Sequence, residues 1–220
     1  MDRNTKAAVL IGVSSLAITV IAVLWVLAMS YNPFAYTYKD EGQKAVTIGT
    51  AANGQKTATI RLSIQPTTNT GPDGPWLGYQ LQDAATNPAD QRGAAIFHVP
   101  AHALVTVTVK NYDSRTALRN PYFTEVQGTV GGVEYVNGKP ISVMNPNLTS
   151  HTFTIPALGV SVPMEGVPGS SGFELMRFQF RTGNSGTVRW QCIVPCGWGL
   201  YGFGGPMSQF GYMNGLIHIG

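Results

Sequence analysis

The first apolar pattern in this chain is one continuous run. Residues 7–29 contain no charged side chain and consist mainly of Ala, Val, Leu and Ile. At about 1.5 Å per residue, a helix of this length crosses the roughly 30 Å hydrocarbon core of a bilayer. The run is longer than the roughly 7–15 residues typical of a signal-peptide core. We therefore predict one transmembrane helix, with Trp25 and Tyr31 near its outer interface and Pro33 ending it.

The charges beside this run predict its orientation. Arg3 and Lys6 precede it, and positive residues favour the cytoplasmic side of a membrane. The expected localisation is thus single-pass in the plasma membrane, with a cytoplasmic N-terminus and the remaining chain on the outer face. Membrane lipid is an expected partner of the helix.

After residue 40 the apolar period changes to two, which is typical of half-buried strands. Residues 45–50 and 57–64 alternate and flank Asn53-Gly54, a hairpin signal. Residues 65–90 are rich in Pro, Thr, Asn, Gly and Asp and are predicted as a long loop excursion. Further strands are predicted at 94–99, 103–111, 150–155, 173–181, 186–192 and 215–219, with a Gly-interrupted hairpin over 126–136.

Eight or nine short strands without an internal repeat favour one fold class. We predict an all-β, Greek-key β-sandwich or barrel carrying one N-terminal transmembrane helix. Residues 1–31 form the cytoplasmic N-terminus and anchor in this interpretation. Residues 32–93 form a linker, a hairpin and the loop-rich excursion, and residues 94–220 form the β core.

Composition excludes some functions. Charged residues make up 11% of the 220 residues, the net charge is +3, and no cluster of Lys and Arg occurs, so nucleic acid is not an expected partner. The low charge indicates burial against other membrane subunits or exposure to an acidic medium. The sequence holds no Ser/His/Asp arrangement, phosphate-binding loop or recognisable carboxylate pair, so the chain is predicted as a non-catalytic or electron-transfer subunit.

The candidate chemistry lies in the two cysteines, Cys192 and Cys196. An oxidising outer compartment favours a disulfide between them. Together with His151 and Met213 they also make a soft donor set that suits copper. Two free thiols are the third alternative, and the spacing alone leaves all three open.

Four segments carry a resemblance to a known family. They are His-Thr-Phe-Thr-Ile-Pro-Ala-Leu-Gly at 151–159, Pro-Gly at 168–169, Cys-Ile-Val-Pro-Cys-Gly at 192–197, and Met-Asn-Gly at 213–215. They resemble the cupredoxin domain of subunit II of haem-copper oxidases. The resemblance implies a cupredoxin-like fold and a dinuclear copper centre, CuA, held by two cysteines, two histidines, a methionine and a backbone carbonyl. In this chain it assigns metal ligation to His151, Cys192, Cys196, Met213 and the carbonyl of Val194.

The sequence departs from the family at the second histidine. The family's positions for it fall on Phe210 or Leu200, and the loop before Met213 is longer than the family's. A substitute donor would have to come from His98, His102, His218 or a neighbouring subunit.

The resemblance implies a component similar to subunit II in a respiratory terminal oxidase. Electrons would pass from an outer carrier, through a CuA-like or altered copper site, to a haem-bearing core subunit. If copper is lost, the domain is purely structural. The alternative is a non-redox accessory cupredoxin-fold subunit of another membrane complex, such as a copper monooxygenase.

Overall fold

The chain divides into two compact units, Met1–Tyr36 and Thr37–Gly220. This computed structural model describes residues 2–30, 40–67, 76–82, 93–169, 172–197 and 203–220. The predicted helix end at Pro33 and parts of the predicted excursion over 65–90 lie outside these residues. The predicted division at residues 31 and 93 stays a prediction.

The first unit contains one 28-residue helix, α1 (Arg3–Ser30), which covers the apolar run. Large apolar side chains are exposed on successive positions of α1, among them Ile18, Ile21 and Trp25. Among the described residues, no helix combines the length and the apolar character that a membrane crossing requires. The predicted transmembrane span is therefore not confirmed.

The second unit is mostly β, and the described residues form two sheets. The first sheet has seven strands in the order β1-β2-β5-β10-β6-β7, with β3 also paired to β2. The second has five strands in the order β4-β12-β11-β8-β9. The strands are β1 Val46–Thr50, β2 Lys56–Gln65, β3 Gly78–Leu81, β4 Ile96–Val99, β5 Leu104–Asn111, β6 Glu134–Val136, β7 Lys139–Ile141, β8 Thr149–Ile155, β9 Val160–Glu165, β10 Glu174–Arg181, β11 Gly186–Gln191 and β12 Asn214–Ile219.

The alternation of the sequence accounts for the best-predicted strands. The β1–β2 hairpin forms as predicted, with Val46 opposite Ile60 and Thr50 opposite Lys56. In β5, Val105, Val107 and Val109 are fully buried, while the alternate positions are partly exposed. The period-two pattern therefore identified both the strand and its core-facing side.

Three predictions about the β elements were wrong. Strand β3 lies inside the segment predicted as a loop, and β9 was missed altogether. The hairpin predicted over 126–136 forms further along, between β6 and β7. Its turn is Asn137-Gly138, and both residues have positive φ, 49° and 82°. That is the backbone that a two-residue hairpin turn requires, so Asn137-Gly138 was the stronger signal.

The core between the sheets is centred on Trp190 of β11. Its ring stacks on Phe153 at 5.0 Å and on Phe97 at 5.7 Å, and meets Tyr79 edge-on at 5.1 Å. The indole nitrogen donates to the carbonyl of Ala95 at 2.9 Å. Residues from β3, β4, β8 and β11 thus share one aromatic cluster, which ties the two sheets together.

The same core contains an unpaired carboxyl group. Glu134 is fully buried, and within the described part of the chain neither of its side-chain oxygens has a hydrogen-bond partner. Burial, reinforced by the nearby Glu165, raises the pKa of Glu134 well above its usual range. Glu134 therefore holds its proton to a higher pH in the folded protein than in the unfolded chain.

We expect Glu134→Gln to remove a pH-dependent loss of stability. Because the folded-state pKa is raised, the contribution of Glu134 to stability is complete below about pH 4.5 and is lost as pH rises through the folded pKa. Glutamine cannot ionise, so at pH 8 the variant should be more stable by about 1–3 kcal/mol. Urea denaturation of both proteins at pH 4.5 and pH 8 measures the difference. An equal difference at both pH values would contradict the expectation.

Candidate metal centre

The topology of the five-stranded sheet brings the candidate ligands together. Strand β11 lies between β8 and β12. His151 is on β8, the two cysteines follow the end of β11, and Met213 directly precedes β12. The backbone N–H of Cys192 donates to the carbonyl of Met213 at 2.8 Å. The loop that carries both thiols therefore lies between the histidine strand and the methionine strand.

The donor atoms converge within a short distance. Sγ of Cys192 lies 3.0 Å from Sγ of Cys196, and Nδ1 of His151 lies 3.1 Å from Sγ of Cys196. The carbonyl oxygen of Val194 is 2.9 Å from Sγ of Cys196 and 3.3 Å from Sγ of Cys192. The side chains of His151, Cys192 and Cys196 are buried, and their ligand atoms lie within 4.8 Å of one another.

Both cysteines are free thiols in the structure. A β-bulge between Thr149 and His151 shifts the register of β8 against β9, and bulges of this kind re-aim a side chain next to a site. The backbone N–H of Thr152 donates to Sγ of Cys192 at 3.4 Å, and its hydroxyl accepts from the N–H of Ile193 at 2.9 Å. The segment 151–152 thus positions both the imidazole and the thiol loop.

One residue of the site was not predicted from the sequence, Asp113. It follows the end of β5, in the other sheet, and its Oδ2 accepts from Nε2 of His151 at 2.8 Å. Its other carboxylate oxygen accepts from the backbone N–H of Ser114 at 2.8 Å. When His151 is neutral, a proton held on Nε2 by Asp113 would leave the lone pair of Nδ1 directed at the thiols, as in carboxylate–histidine–metal arrangements. An acidic residue at the end of a predicted strand was the only sequence signal for it.

The electrostatics of the metal-free site favour a charged imidazole. Burial opposes the charge, but hydrogen bonding to Asp113 and the interaction with Cys192 raise the pKa of His151 to about 9. Burial also opposes ionisation of Cys192, yet hydrogen bonds from Cys196 and His151 lower the pKa of its thiol. Burial and the neighbouring Cys192 raise the pKa of Cys196. The pair therefore shares one negative charge, stabilised by His151.

We expect Asp113→Asn to lower the pKa of His151 in the metal-free protein. The substitution keeps the shape of the side chain but removes the negative charge that stabilises imidazolium. A titration of ring ¹⁵N shifts in the full chain should give a value near 9 for the natural protein and a clearly lower one for the variant. His98 lies far from the site along the chain. His98→Ala removes the ring ¹⁵N signals of one other histidine and serves as the assignment control. An unchanged pKa would mean that Asp113 does not set the charge of His151.

None of the other three histidines joins this cluster. His98 and His218 stack on each other across β4 and β12, with ring centroids 4.7 Å apart. His218 also bonds the hydroxyl of Thr187 through Nδ1 at 2.9 Å. His102 has a positive φ of 55° and bonds Gln55 through its carbonyl. Phe210 is 37% exposed, and Leu200 lies outside the described residues.

Met213 is fully buried and belongs to the core next to Cys192. A cavity of about 520 Å³ borders the site, and its lining includes Asp113, Arg115, His151 and Cys196 but not Met213. The cavity therefore borders the centre at His151 and Cys196, whereas Met213 lies in the buried core.

The donor set determines which ligand the site can hold. Two thiols and one imidazole are soft to borderline ligands, which select Cu(I), Zn²⁺ or related ions over Ca²⁺ and Mg²⁺, and the carbonyl of Val194 is a harder fourth donor. A symmetric pair of metal ions needs a terminal nitrogen ligand on each ion. The cluster supplies only one imidazole, so it suits a centre with fewer terminal ligands. The described residues therefore fit a thiolate site with one imidazole for a soft or borderline metal ion.

Solved structures that resemble this chain include rusticyanin and a haem-copper terminal oxidase. Rusticyanin, a copper protein, is 16% identical, with 81% of this chain and 90% of that chain covered and a TM-score of 0.34. Rusticyanin from Thiobacillus ferrooxidans in a second structure is 14% identical over 81% and 89%, with a TM-score of 0.35. A haem-copper terminal oxidase dimer is 11% identical over 94% and 97%, with a TM-score of 0.37. No family model and no curated protein matches. Because all three TM-scores are below 0.5, neither family nor function follows from them.

Proposed function

We propose that the second unit, Thr37–Gly220, is a cupredoxin-like, copper-binding electron-transfer domain. The observation that carries the proposal is the convergence of two buried free thiols, one imidazole nitrogen and the Val194 carbonyl, with the sulfurs 3.0 Å apart. Copper bound there would cycle between Cu(I) and Cu(II) and so pass one electron at a time. The protein's part is to hold the donors in one geometry through both oxidation states.

Each residue has a definite role in this proposal. Cys192 and Cys196 supply thiolates, and His151 supplies Nδ1 while Asp113 holds its Nε2 proton. Val194 contributes only its carbonyl, so its apolar side chain is compatible with the site. Met213 is the candidate thioether ligand. Met213 and the aromatic side chains around Trp190 belong to one buried core.

The number of copper ions is the main difference from the family that the motif resembles. The described residues offer one imidazole at the centre, and the second terminal nitrogen of a dinuclear pair has no donor among them. We therefore propose an altered centre that holds one copper ion per chain. A value of two would instead indicate a nitrogen donor from a neighbouring subunit.

We further propose that the chain is an anchored component of a respiratory terminal oxidase. The support is the four-segment resemblance to subunit II, the uncharged run over 7–29, and the exposed apolar side chains of α1. Its expected partners are a haem-bearing core subunit, an outer electron carrier and membrane lipid. Alkaline extraction of membranes tests the anchoring, because an anchored chain stays in the pellet.

Copper reconstitution of the full chain tests the proposal. The protein, purified in detergent and reduced, is loaded anaerobically with Cu(I), freed of excess metal, oxidised and examined by copper analysis and EPR. We expect about one copper per chain and a thiolate-to-copper absorption band that disappears on reduction. Failure of the fully reduced protein to bind copper would disprove the electron-transfer role.

Purification of the assembled complex separates the oxidase from the accessory alternative. Haem absorption in a complex captured through this chain supports the terminal oxidase. Stable co-purification with a haem-free membrane enzyme would instead support the non-redox accessory subunit.

A further inference from the structure

Two histidines that do not belong to the metal centre form a pair on the five-stranded sheet. His98 on β4 and His218 on β12 are directly opposite each other in the parallel register of these strands. Their rings stack with centroids 4.7 Å apart and planes inclined by 29°. His98 is exposed and His218 is half-buried. The pair is therefore open to solutes, unlike the buried His151.

The alternation of the two strands holds the pair on the solvent side of the sheet. Successive side chains of a strand point to opposite faces. The positions on either side of the two histidines are buried in the core, and they are Phe97, Val99, Ile217 and Ile219. Since the two backbones are hydrogen-bonded to each other, the freedom left to the pair lies in its side-chain torsions. A ligand that takes one ring nitrogen from each histidine thus meets a site that is largely preformed.

A third side chain in the same row orients one of the rings. Thr187 of β11 is directly opposite His218, so the three residues lie side by side on β11, β12 and β4. The hydroxyl of Thr187 lies 2.9 Å from Nδ1 of His218. When Nδ1 carries the proton and donates it to Thr187, Nε2 keeps its lone pair. Histidines that bind metals commonly donate their other ring N–H in this way.

Two neighbouring imidazoles with free ring nitrogens are suited to a metal ion, because neutral imidazole is the commonest metal ligand among side chains. Ring nitrogens that share one Zn²⁺ at about 2.0–2.1 Å lie roughly 3 Å apart. Rotation of the rings about their side-chain torsions reaches this spacing from a centroid separation of 4.7 Å, without movement of either strand. We propose that His98 and His218 form a surface site for one divalent transition-metal ion such as Zn²⁺, with water in the remaining coordination positions.

The surroundings of the pair are compatible with a cation. Among the described residues, the two rings contact each other and Thr187, which is neutral. At the edge of β4, the backbone N–H of His98 donates to the neutral side chain of Gln43 at 2.8 Å. Arg189 lies two positions from Thr187 on β11, about 7 Å along the strand, and is opposite Leu216. It is exposed, and repulsion between solvated charges at that distance is small.

This site differs from the thiolate centre in strength. Two neutral imidazoles bring no negative charge to the ion, whereas the centre offers two thiols. We therefore expect micromolar affinity and release of the ion when excess metal is removed. The copper content expected for the thiolate centre is then unaffected.

Zinc titration of the full chain in detergent tests the site. Replacing Cys192 and Cys196 by serine prevents the thiols from competing for the ion. Calorimetry should then give one Zn²⁺ per chain, and ring ¹⁵N spectra should show the ion on Nε2 of His218. Absence of Zn²⁺ binding would overturn the proposal and leave the stacked pair as a packing contact only. The natural chain should show the same weak site in addition to a tighter one at the thiols.

Variants locate the ion. His98→Ala and His218→Ala should each weaken Zn²⁺ at least about tenfold, a loss no smaller than that expected for an outer partner of a ligand. Thr187→Val keeps the shape of the side chain but removes the hydroxyl, so it should weaken Zn²⁺ by less than either histidine substitution. His102→Ala is the matched control, because His102 is an exposed histidine outside the pair and should not matter. An equal loss in His102→Ala, or no loss in His98→Ala, would show that zinc binds elsewhere and would overturn the proposal.

Discussion

The chain with Cys192 and Cys196 both replaced by serine should bind no copper under conditions that load the natural chain. The two sulfurs lie 3.0 Å apart and are the soft donors of the cluster with His151. A serine hydroxyl is a harder and far less acidic ligand, so Cu(I) loses its main attraction to the site. Copper analysis after anaerobic loading measures the loss.

Single substitutions rank the ligands. Cys192→Ser and Cys196→Ser should each weaken copper by more than the roughly 10–100-fold expected for an outer partner such as Asp113. His151→Ala should do the same, and His98→Ala is its matched control because His98 lies outside the cluster. Competition with a Cu(I) chelator gives the affinities. Full copper binding by the double serine variant would show that the metal lies elsewhere.

Folding of these variants must be checked independently. Each serine keeps a hydroxyl near the carbonyl of Val194, which both thiols contact in the natural chain. The far-ultraviolet circular dichroism and the urea midpoint of the metal-free protein should therefore change little. A loss of copper together with a native-like midpoint assigns the effect to ligation.

The sequence predicted those members of the candidate site that are close together along the chain or carried by a motif. Cys192, Val194 and Cys196 lie within five residues, so the loop alone brings them together. His151 was predicted through the resemblance, and the structure places its Nδ1 beside Cys196. Asp113 was missed because it comes from the other sheet, and only tertiary packing brings it to His151.

For the fold as well, local sequence patterns predicted some strands, and strands that depend on contacts distant along the chain were missed. Strands with clear alternation, such as β2 and β5, were predicted because half-buried surfaces require that pattern. Strand β3 has four residues in a loop-like composition, and it forms because β2 offers it an edge and Tyr79 enters the aromatic core. These contacts join residues that are distant along the chain, so the local sequence does not predict β3.

The glycine that ends the Met-Asn-Gly segment has a structural reason. A Cβ added at Gly215 would lie 2.0 Å from the carbonyl oxygen of Ala95 and 2.7 Å from its carbon. That oxygen cannot move freely, since it accepts from the N–H of Leu216 and from the indole of Trp190, both at 2.9 Å. The clash is with backbone at the junction of β4 and β12.

We expect Gly215→Ala to destabilise the metal-free protein by about 3 kcal/mol or more, at the upper end of overpacking effects. Gly186→Ala is the matched control, because Gly186 lies at the other end of the same β11–β12 hairpin with nothing within 4 Å of its added Cβ. It should change stability by no more than about 0.5 kcal/mol. Urea denaturation of the full chain compares the two. Met213, two residues before Gly215, accepts the N–H of Cys192, so Gly215→Ala should also weaken copper binding. Equal urea midpoints for the two variants would refute the close approach of Gly215 to Ala95.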